Sequence, residues 1–350
     1  MQRRKRKLIQ RLISVAILLL CLLPLRASAT AISGLYVFGD SLSDTGNVYQ
    51  ASLLAAGTGL PASPYFEGRF CNGYLWVDYL TKQLGLQIDP VAQLASDQSR
   101  SINFAYGGAT TGSSNTVNRA LPGLQQELEQ YTELLPQQKA DANALYAIWI
   151  GANDYLPRGE GIGSATQTPR VGDIQPVANI TKAIRSLYNL GARRFLVANL
   201  PDLGENPLAE TLGQSTMQSL NRQTKQHNQA LNRELANLQQ SLPQIQLIQL
   251  DVAQLFAKAV LGQLSFTDVK TPCFDRTSGK VCSNPDQHLF WDALHPTTAA
   301  HRYVANLAVE QIQSQLTPNS KLAKFPAALM LVGTLSLLAG AGVWRKRRSP

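Results

Sequence analysis

Short apolar runs alternating with longer stretches of helical periodicity predict an α/β protein, three layers α/β/α around a parallel five-stranded sheet. Three observations carry this. The runs are short and rich in β-branched or aromatic residues. Each is separated from the next by a helix-patterned stretch. The loops that leave several of them hold the chemically most loaded residues of the chain, and open α/β sheets place reactive groups beyond strand carboxyl ends.

Taken in order, residues 35–38 read as the first strand and run into Phe38-Gly39-Asp40-Ser41-Leu42-Ser43-Asp44-Thr45-Gly46-Asn47. A long loop is expected over 48–72, then a helix over 74–84 after a glycine-containing turn. The second strand is 102–105, followed by Gly107-Gly108-Ala109-Thr110-Thr111 and a helix over 124–134 behind a Pro-Gly signal. The third strand, 145–150, leads into Gly151-Ala152-Asn153-Asp154 and a glycine-bearing loop over 156–175. A helix over 177–190, a strand over 195–199 and a long helix over 216–242 follow. Leu231, Leu235, Leu238 and Leu242 share one face of that helix. The last strand is 245–250. Asp292-Ala293-Leu294-His295-Pro296 precedes a final helix over 297–316. The two long loops leave strand carboxyl ends, where they would rim a site or form plain surface insertions.

The formal charge of +9 suggests an anionic partner until the charges are located. Seven Lys/Arg without an acid fall in residues 1–29, and four more in 325–350. Removing those eleven from the 32 basic residues leaves 21 against 23 acidic ones, so the central part is near −2 and no nucleic-acid partner is expected. Both ends read as membrane addresses. Residues 1–29 have the basic stretch, apolar run and Ala27-Ser28-Ala29 of a secretory signal peptide. Residues 325–344 are 20 residues without charge, about 30 Å as a helix, enough for a transmembrane anchor. The basic tail 345–350 would lie on the cytoplasmic side. Residues 30–318 then form one extracytoplasmic domain, joined by a linker over 319–324. The tail layout is similar to bacterial PEP-CTERM sorting tails but lacks Pro-Glu-Pro, so a plain anchor is the expectation. Cysteine use fits export: Cys21 leaves with the signal, Cys273 and Cys282 are placed for a disulfide, and Cys71 is left over. Three remaining cysteines and four scattered histidines offer no paired ligand spacing, so no metal is expected.

Together the four blocks supply the parts of an acyl-transfer site. A serine hydroxyl is a weak nucleophile and needs a base, for which His295 is the candidate against Ser41. Asp292, three residues earlier, can accept from the imidazole, orient it and stabilise its charged form. Backbone N–H groups of Ser41 and Gly108, and the Asn153 amide, are suitable oxyanion donors.

These blocks resemble the SGNH hydrolases, or GDSL esterase/lipase family, from Phe38 to about Tyr303. They are most similar to its plant-type and bacterial extracellular lipolytic branch. Gly68-Arg69-Phe70-Cys71-Asn72-Gly73 with Trp76, Asn103-Phe104-Ala105, Gly151-Ala152-Asn153-Asp154-Tyr155 and Phe290-Trp291-Asp292 add to the likeness. The resemblance implies a flavodoxin-like α/β/α fold without metal or organic cofactor. It implies Ser41 as nucleophile, Gly108 and Asn153 as oxyanion donors, and Asp292 and His295 completing the triad. Cys71 stands where the family commonly has serine.

The expected function is a serine esterase or lipase acting on carboxylic esters through an acyl-enzyme, with an ester or lipid substrate and no obligate protein partner. The alternatives are acyl transfer to an alcohol by the same triad, and a non-catalytic surface-binding protein on this scaffold. Asp40 and Asp44 are expected to hold the nucleophile loop through backbone N–H groups, and Asp154 to support its turn. His227 reads as structural, His301 as packed or solvated, and Trp149 and Trp291 as core. His288, near the triad loop, could line the site.

Overall fold

Each apolar run becomes a strand because its residues can be buried on both faces, as a parallel sheet between two helical layers requires. The computed structural model describes residues 32–94, 101–156 and 175–316. The signal, linker, anchor and tail segments, and nearly all of the 156–175 loop, lie outside the described residues. Residues 30–314 form one compact unit. Among the described residues no helix is long and apolar enough to cross a membrane.

The strands are β1 (Leu35–Gly39), β2 (Asp89–Pro90), β3 (Ile102–Asn103), β4 (Leu145–Trp149), β5 (Arg194–Ala198) and β6 (Gln246–Leu250). They form one parallel sheet in the order β2-β3-β1-β4-β5-β6. β2 is a two-residue addition at the edge, where Pro90, which has no backbone N–H, is tolerated. The five strands foreseen from sequence take the flavodoxin-like order 2-1-3-4-5 when numbered among themselves. β1 is central, with Leu35 opposite Leu145 and Gly39 opposite Trp149 on one side, and Tyr36 opposite Ile102 on the other.

Helices α1 (Asn47–Ala56), α2 (Trp76–Leu84), α3 (Leu124–Glu133), α4 (Ala152–Tyr155), α5 (Gln175–Leu190), α6 (Pro207–Thr211), α7 (Gln214–Ser241), α8 (Val252–Val260) and α9 (Thr298–Leu316) complete the described elements. On one face of the sheet Phe38, Tyr146 and Ile148 pack with Tyr131 of α3, Ile184 of α5 and Leu231 of α7. The alternate residue Trp149 turns the other way and meets Trp76 of α2 edge-on, ring centroids 5.9 Å apart. Tyr79 of α2 in turn bonds Thr298 of α9 at 2.9 Å.

Four helices, α1, α4, α6 and α8, were not foreseen, and two of them show why. The expected 48–72 loop begins as α1. Its apolar residues do not form a stripe, and it is held instead by its start. Asp44 accepts from the N–H groups of Gly46, Asn47 and Val48, a carboxylate against a helix N-terminus. α8 follows β6 directly, capped by Asp251, which accepts from Gln254 N–H at 3.0 Å. A small antiparallel hairpin, β7 (Phe274–Asp275) and β8 (Lys280–Val281), is closed by the Cys273–Cys282 disulfide, and Phe274 stacks on Trp291 at 5.5 Å.

One buried side chain sets the carboxyl edge of the sheet. Glu127 of α3 is fully buried and accepts from Gly39 N–H at 2.9 Å and Tyr106 N–H at 3.3 Å. It thereby joins the end of β1 to the chain leaving β3. Burial raises its pKa well above the usual carboxylate value, against the lowering effect of the two amides.

Two predictions follow from the fold. Replacing Cys273 and Cys282 together by serine removes a short-loop crosslink and should cost roughly 2.5–3 kcal/mol of stability, read by denaturant unfolding. A carboxyl whose folded pKa is raised contributes most below its unfolded pKa and loses that contribution as pH rises. Denaturation midpoints of Glu127→Gln should therefore gain on wild type as pH rises from 4.5 to 8.

Candidate active site

Ser41 lies in the turn that follows β1, closed by Ser43 N–H and Asp44 N–H on the Asp40 carbonyl at 2.9 and 3.0 Å. The Asp40 carboxylate accepts from Leu42 N–H at 3.1 Å. A glycine precedes this turn because a Cβ on Gly39 would stand 2.6 Å from the Trp149 carbonyl oxygen of β4. Trp76 Nε1–H donates to Ser43 Oγ, and Asn103 Nδ2–H donates to the Ser43 carbonyl, so the turn is braced from α2 and β3. Asp40 is fully buried and its pKa is pushed up to about 7 by that burial, against the Leu42 amide and the charge of His295. Asp44 is pushed to about 6 for the same first reason, with its backbone donors opposing. Both act as the sequence suggested, as acceptors for loop amides.

The second block is tied to the first by the same carboxylate, because Asp44 accepts from Gly107 N–H at 2.8 Å. Gly108 has φ +81, and a Cβ there would meet Asn115 Oδ1 at 2.7 Å and Val117 N at 2.8 Å. Only glycine fits that backbone without displacing its neighbours. Among the described residues, the N–H groups of Ser41 and Gly108 have no protein acceptor. The third block is tied to the second in turn. Asn153 Nδ2–H donates to the Ala109 carbonyl at 3.0 Å, and Asp154 accepts from Thr111 N–H and Thr111 Oγ1–H at 2.9 and 2.8 Å. Asp154 thus supports more than its own turn.

Asp292 and His295 sit in a loop rather than a helical turn. Asp292 Oδ1 accepts from Leu294 N–H at 2.8 Å and His295 N–H at 2.7 Å, an Asx turn, while Trp291 N–H reaches the His295 carbonyl at 2.7 Å. His295 Nδ1 lies 2.9 Å from Oδ1 and 2.8 Å from Oδ2 of Asp292, and Nε2 lies 2.9 Å from Ser41 Oγ. Burial would raise the Asp292 pKa. The charge of His295 and the bonds from His295, Tyr65 and Leu294 overcome it and hold the carboxyl at about 2. An ionised carboxylate only accepts, so Nδ1 carries the proton and Nε2 is free to accept from the serine hydroxyl.

Ser41, Asn153 and His295 line a cavity of about 380 Å³ whose remaining wall is mostly apolar, including Leu203, Phe256 and Val260. Phe256 and Val260 come from α8. Residues from the segments that follow β1 and β4, from α8 and from the triad loop therefore meet in one concave space. Its chemistry is a hydroxyl, an oriented imidazole and the Asn153 amide beside an apolar wall, while Gly108 and Asp292 are not among its lining residues.

The other sequence candidates fall away from this space. His227 bonds the Tyr155 hydroxyl at 3.0 Å, and burial lowers its pKa to about 4. His301 is fully buried in α9, lowered to about 3 by burial and then by the charge of His295. His288 bonds the Thr271 carbonyl at 3.0 Å and does not line the cavity. Cys71 is a buried free thiol, raised to about 12 by burial, against the Pro296 carbonyl at 3.4 Å. The sequence reading missed Glu127 and Tyr65. Glu127 had a signal, since it shares the buried face of α3 with Leu124 and Tyr131, where an acid needs a partner. Tyr65 had none: its hydroxyl meets Asp292 Oδ2, 227 residues away, at 2.6 Å.

The GDSL-like lipase/acylhydrolase family matches residues 35–308. A GDSL esterase/lipase of Arabidopsis thaliana is 30% identical over 316 residues, covering 79% of this chain and 81% of the relative. The phosphatidylcholine-sterol acyltransferase of Aeromonas hydrophila is 28% identical over 342 residues, covering 82% of this chain and 92% of its own length. An inhibitor-bound aryl esterase of M. smegmatis aligns with 81% of this chain and 99% of its own at TM-score 0.43 and 16% identity. With the match spanning the sheet and all four blocks, this ester-hydrolysing enzyme belongs to the GDSL-like lipase/acylhydrolase family.

Proposed function

We propose that Ser41 is the nucleophile, His295 the general base and acid, and Asp292 the group that orients it. The observation that carries this is the unbroken line from Ser41 Oγ through His295 to the ionised Asp292 at the wall of an apolar cavity. His295 Nε2 takes the hydroxyl proton as Ser41 Oγ bonds to the ester carbonyl carbon. The tetrahedral oxyanion is met by the N–H groups of Ser41 and Gly108 and by the Asn153 amide. Collapse breaks the bond to the alcohol oxygen, which leaves with the proton from His295, and Ser41 holds the acyl group. Water then repeats the sequence and releases the acid.

The apolar wall favours esters of hydrocarbon acyl chains. Water and an alcohol compete for the same acyl-enzyme, and the similarity to an acyltransferase named for a sterol acceptor supports acyl transfer as a second reading. The proposed domain is 30–318, behind a signal peptide at 1–29, with a linker at 319–324, an anchor at 325–344 and a basic tail at 345–350. The Cys273–Cys282 disulfide supports export to an oxidising compartment. The anchor rests on the uncharged length of its segment alone.

A fluorophosphonate probe should label wild type at Ser41 and leave Ser41→Ala unlabelled. On p-nitrophenyl esters, Ser41→Ala and His295→Ala should each lose at least about 10³-fold in kcat, with a far-UV spectrum unchanged from wild type. Activity near wild type in either variant rules the assignment out. Product analysis with an added sterol separates the acid from a new ester.

A further inference from the structure

We infer that Tyr65 is a positioning residue for the triad acid: its phenol fixes Asp292 Oδ2 toward His295 and shares the carboxylate charge with the imidazole. The inference rests on the triad assigned above. It comes from geometry that no sequence motif contains.

The two oxygens of Asp292 are held differently. Oδ1 is fixed by the Leu294 and His295 amides of its own loop and also has the His295 ring at 2.9 Å. Oδ2 has the His295 ring at 2.8 Å and, from outside that loop, the Tyr65 hydroxyl at 2.6 Å. That is the short distance of an O–H donor on an anionic acceptor. Burial, then the charge of Asp292 and the bond to it, raise the phenol pKa well beyond its ordinary value, so Tyr65 stays protonated and donates.

The phenol is itself held in place. Its ring meets Phe274 edge-on at 5.6 Å, Trp291 at 6.3 Å and Phe70 at 6.5 Å. Phe274 belongs to the disulfide-closed hairpin, and Phe70 lies against the His295 ring at 5.3 Å. The hairpin, the 60–72 segment and the triad loop therefore converge on one carboxylate. The other titratable groups acting on this cluster are Asp40 beyond β1, Cys71, His301 of α9 and Arg276 of the hairpin. None of them donates to Asp292.

Two consequences separate this role from packing. Orientation of Oδ2 assists imidazolium formation in the transition state, so its loss lowers kcat more than it changes KM. Charge drawn toward the phenol is charge withheld from the imidazolium. Removing the phenol therefore makes His295 more basic and moves the acidic limb of the kcat/KM profile to higher pH.

The test is Tyr65→Phe, which keeps the ring. Expected are a kcat loss of roughly tenfold to hundredfold, the scale of a hydrogen bond to a charged group, and KM within about twofold. The acidic limb should rise by about half to one pH unit. In an Asp292→Asn background the same change should alter kcat by less than about twofold. Fluorotyrosine at position 65 has a more acidic phenol and should move the limb the other way. An unmoved limb, or an equal kcat loss in both backgrounds, overturns the inference and marks Tyr65 as packing. Ser41→Ala, run alongside, keeps the two readings apart. Retained activity there removes the triad assignment, whereas an inactive Ser41→Ala with an unaffected Tyr65→Phe removes only this role.

Discussion

The loops that leave β1, β3 and β4 are fastened to one another by acid side chains, and the proposed site depends on that fastening. Glu127 joins the end of β1 to the exit of β3. Asp44 caps α1 and reaches Gly107 with its other oxygen. Asp154 fastens the β4 loop to Thr111. Each acid satisfies backbone donors that would otherwise be buried without partners, and for Asp44 and Glu127 the cost in desolvation appears as a raised pKa. Among the described residues the same arrangement leaves the Ser41 and Gly108 N–H groups without protein acceptors, as the proposed oxyanion donors require.

The proposed base, His295, arrives on a separate loop. Its loop is internally closed by Asp292 and docked through Pro296 and Thr297 onto the start of α9, with Thr298 N–H bonded to Asn72. Asp292 is low-pKa and ionised while Asp40, also near His295, is pushed to about 7. Two carboxyls close to one imidazole are thus divided by environment: the one with donors aimed at it carries the charge, and the other is poorer in them.

The apolar part of the cavity comes mainly from α8 and the segments next to α6 and the triad loop. α8 and α6 follow the strands at the edge of the sheet away from β3, whereas the proposed oxyanion donors follow its central strands. Chemistry and substrate wall are therefore built by different elements, and the wall can change without disturbing the amide network.

Much of this was legible in the sequence. The five main strands and five of the helices follow from periodicity. Ser41, Gly108 and Asn153 stand out because they sit next to glycines and strand ends, and Asp292 and His295 because an acid stands three residues before a histidine. α1 was hidden because its apolar residues form no stripe and its stability comes from the Asp44 carboxylate. α8 was hidden because it starts with no turn signal after β6. The sequence by itself determined the layer order, the blocks and their residue chemistry, since these depend on local periodicity and on side-chain type. Only the tertiary structure decided which buried acids hold which amides, that Tyr65 meets Asp292 across 227 residues, and that α8 walls the cavity. Those are contacts between segments far apart in the chain, fixed by how helices pack on the sheet, and no local pattern encodes them.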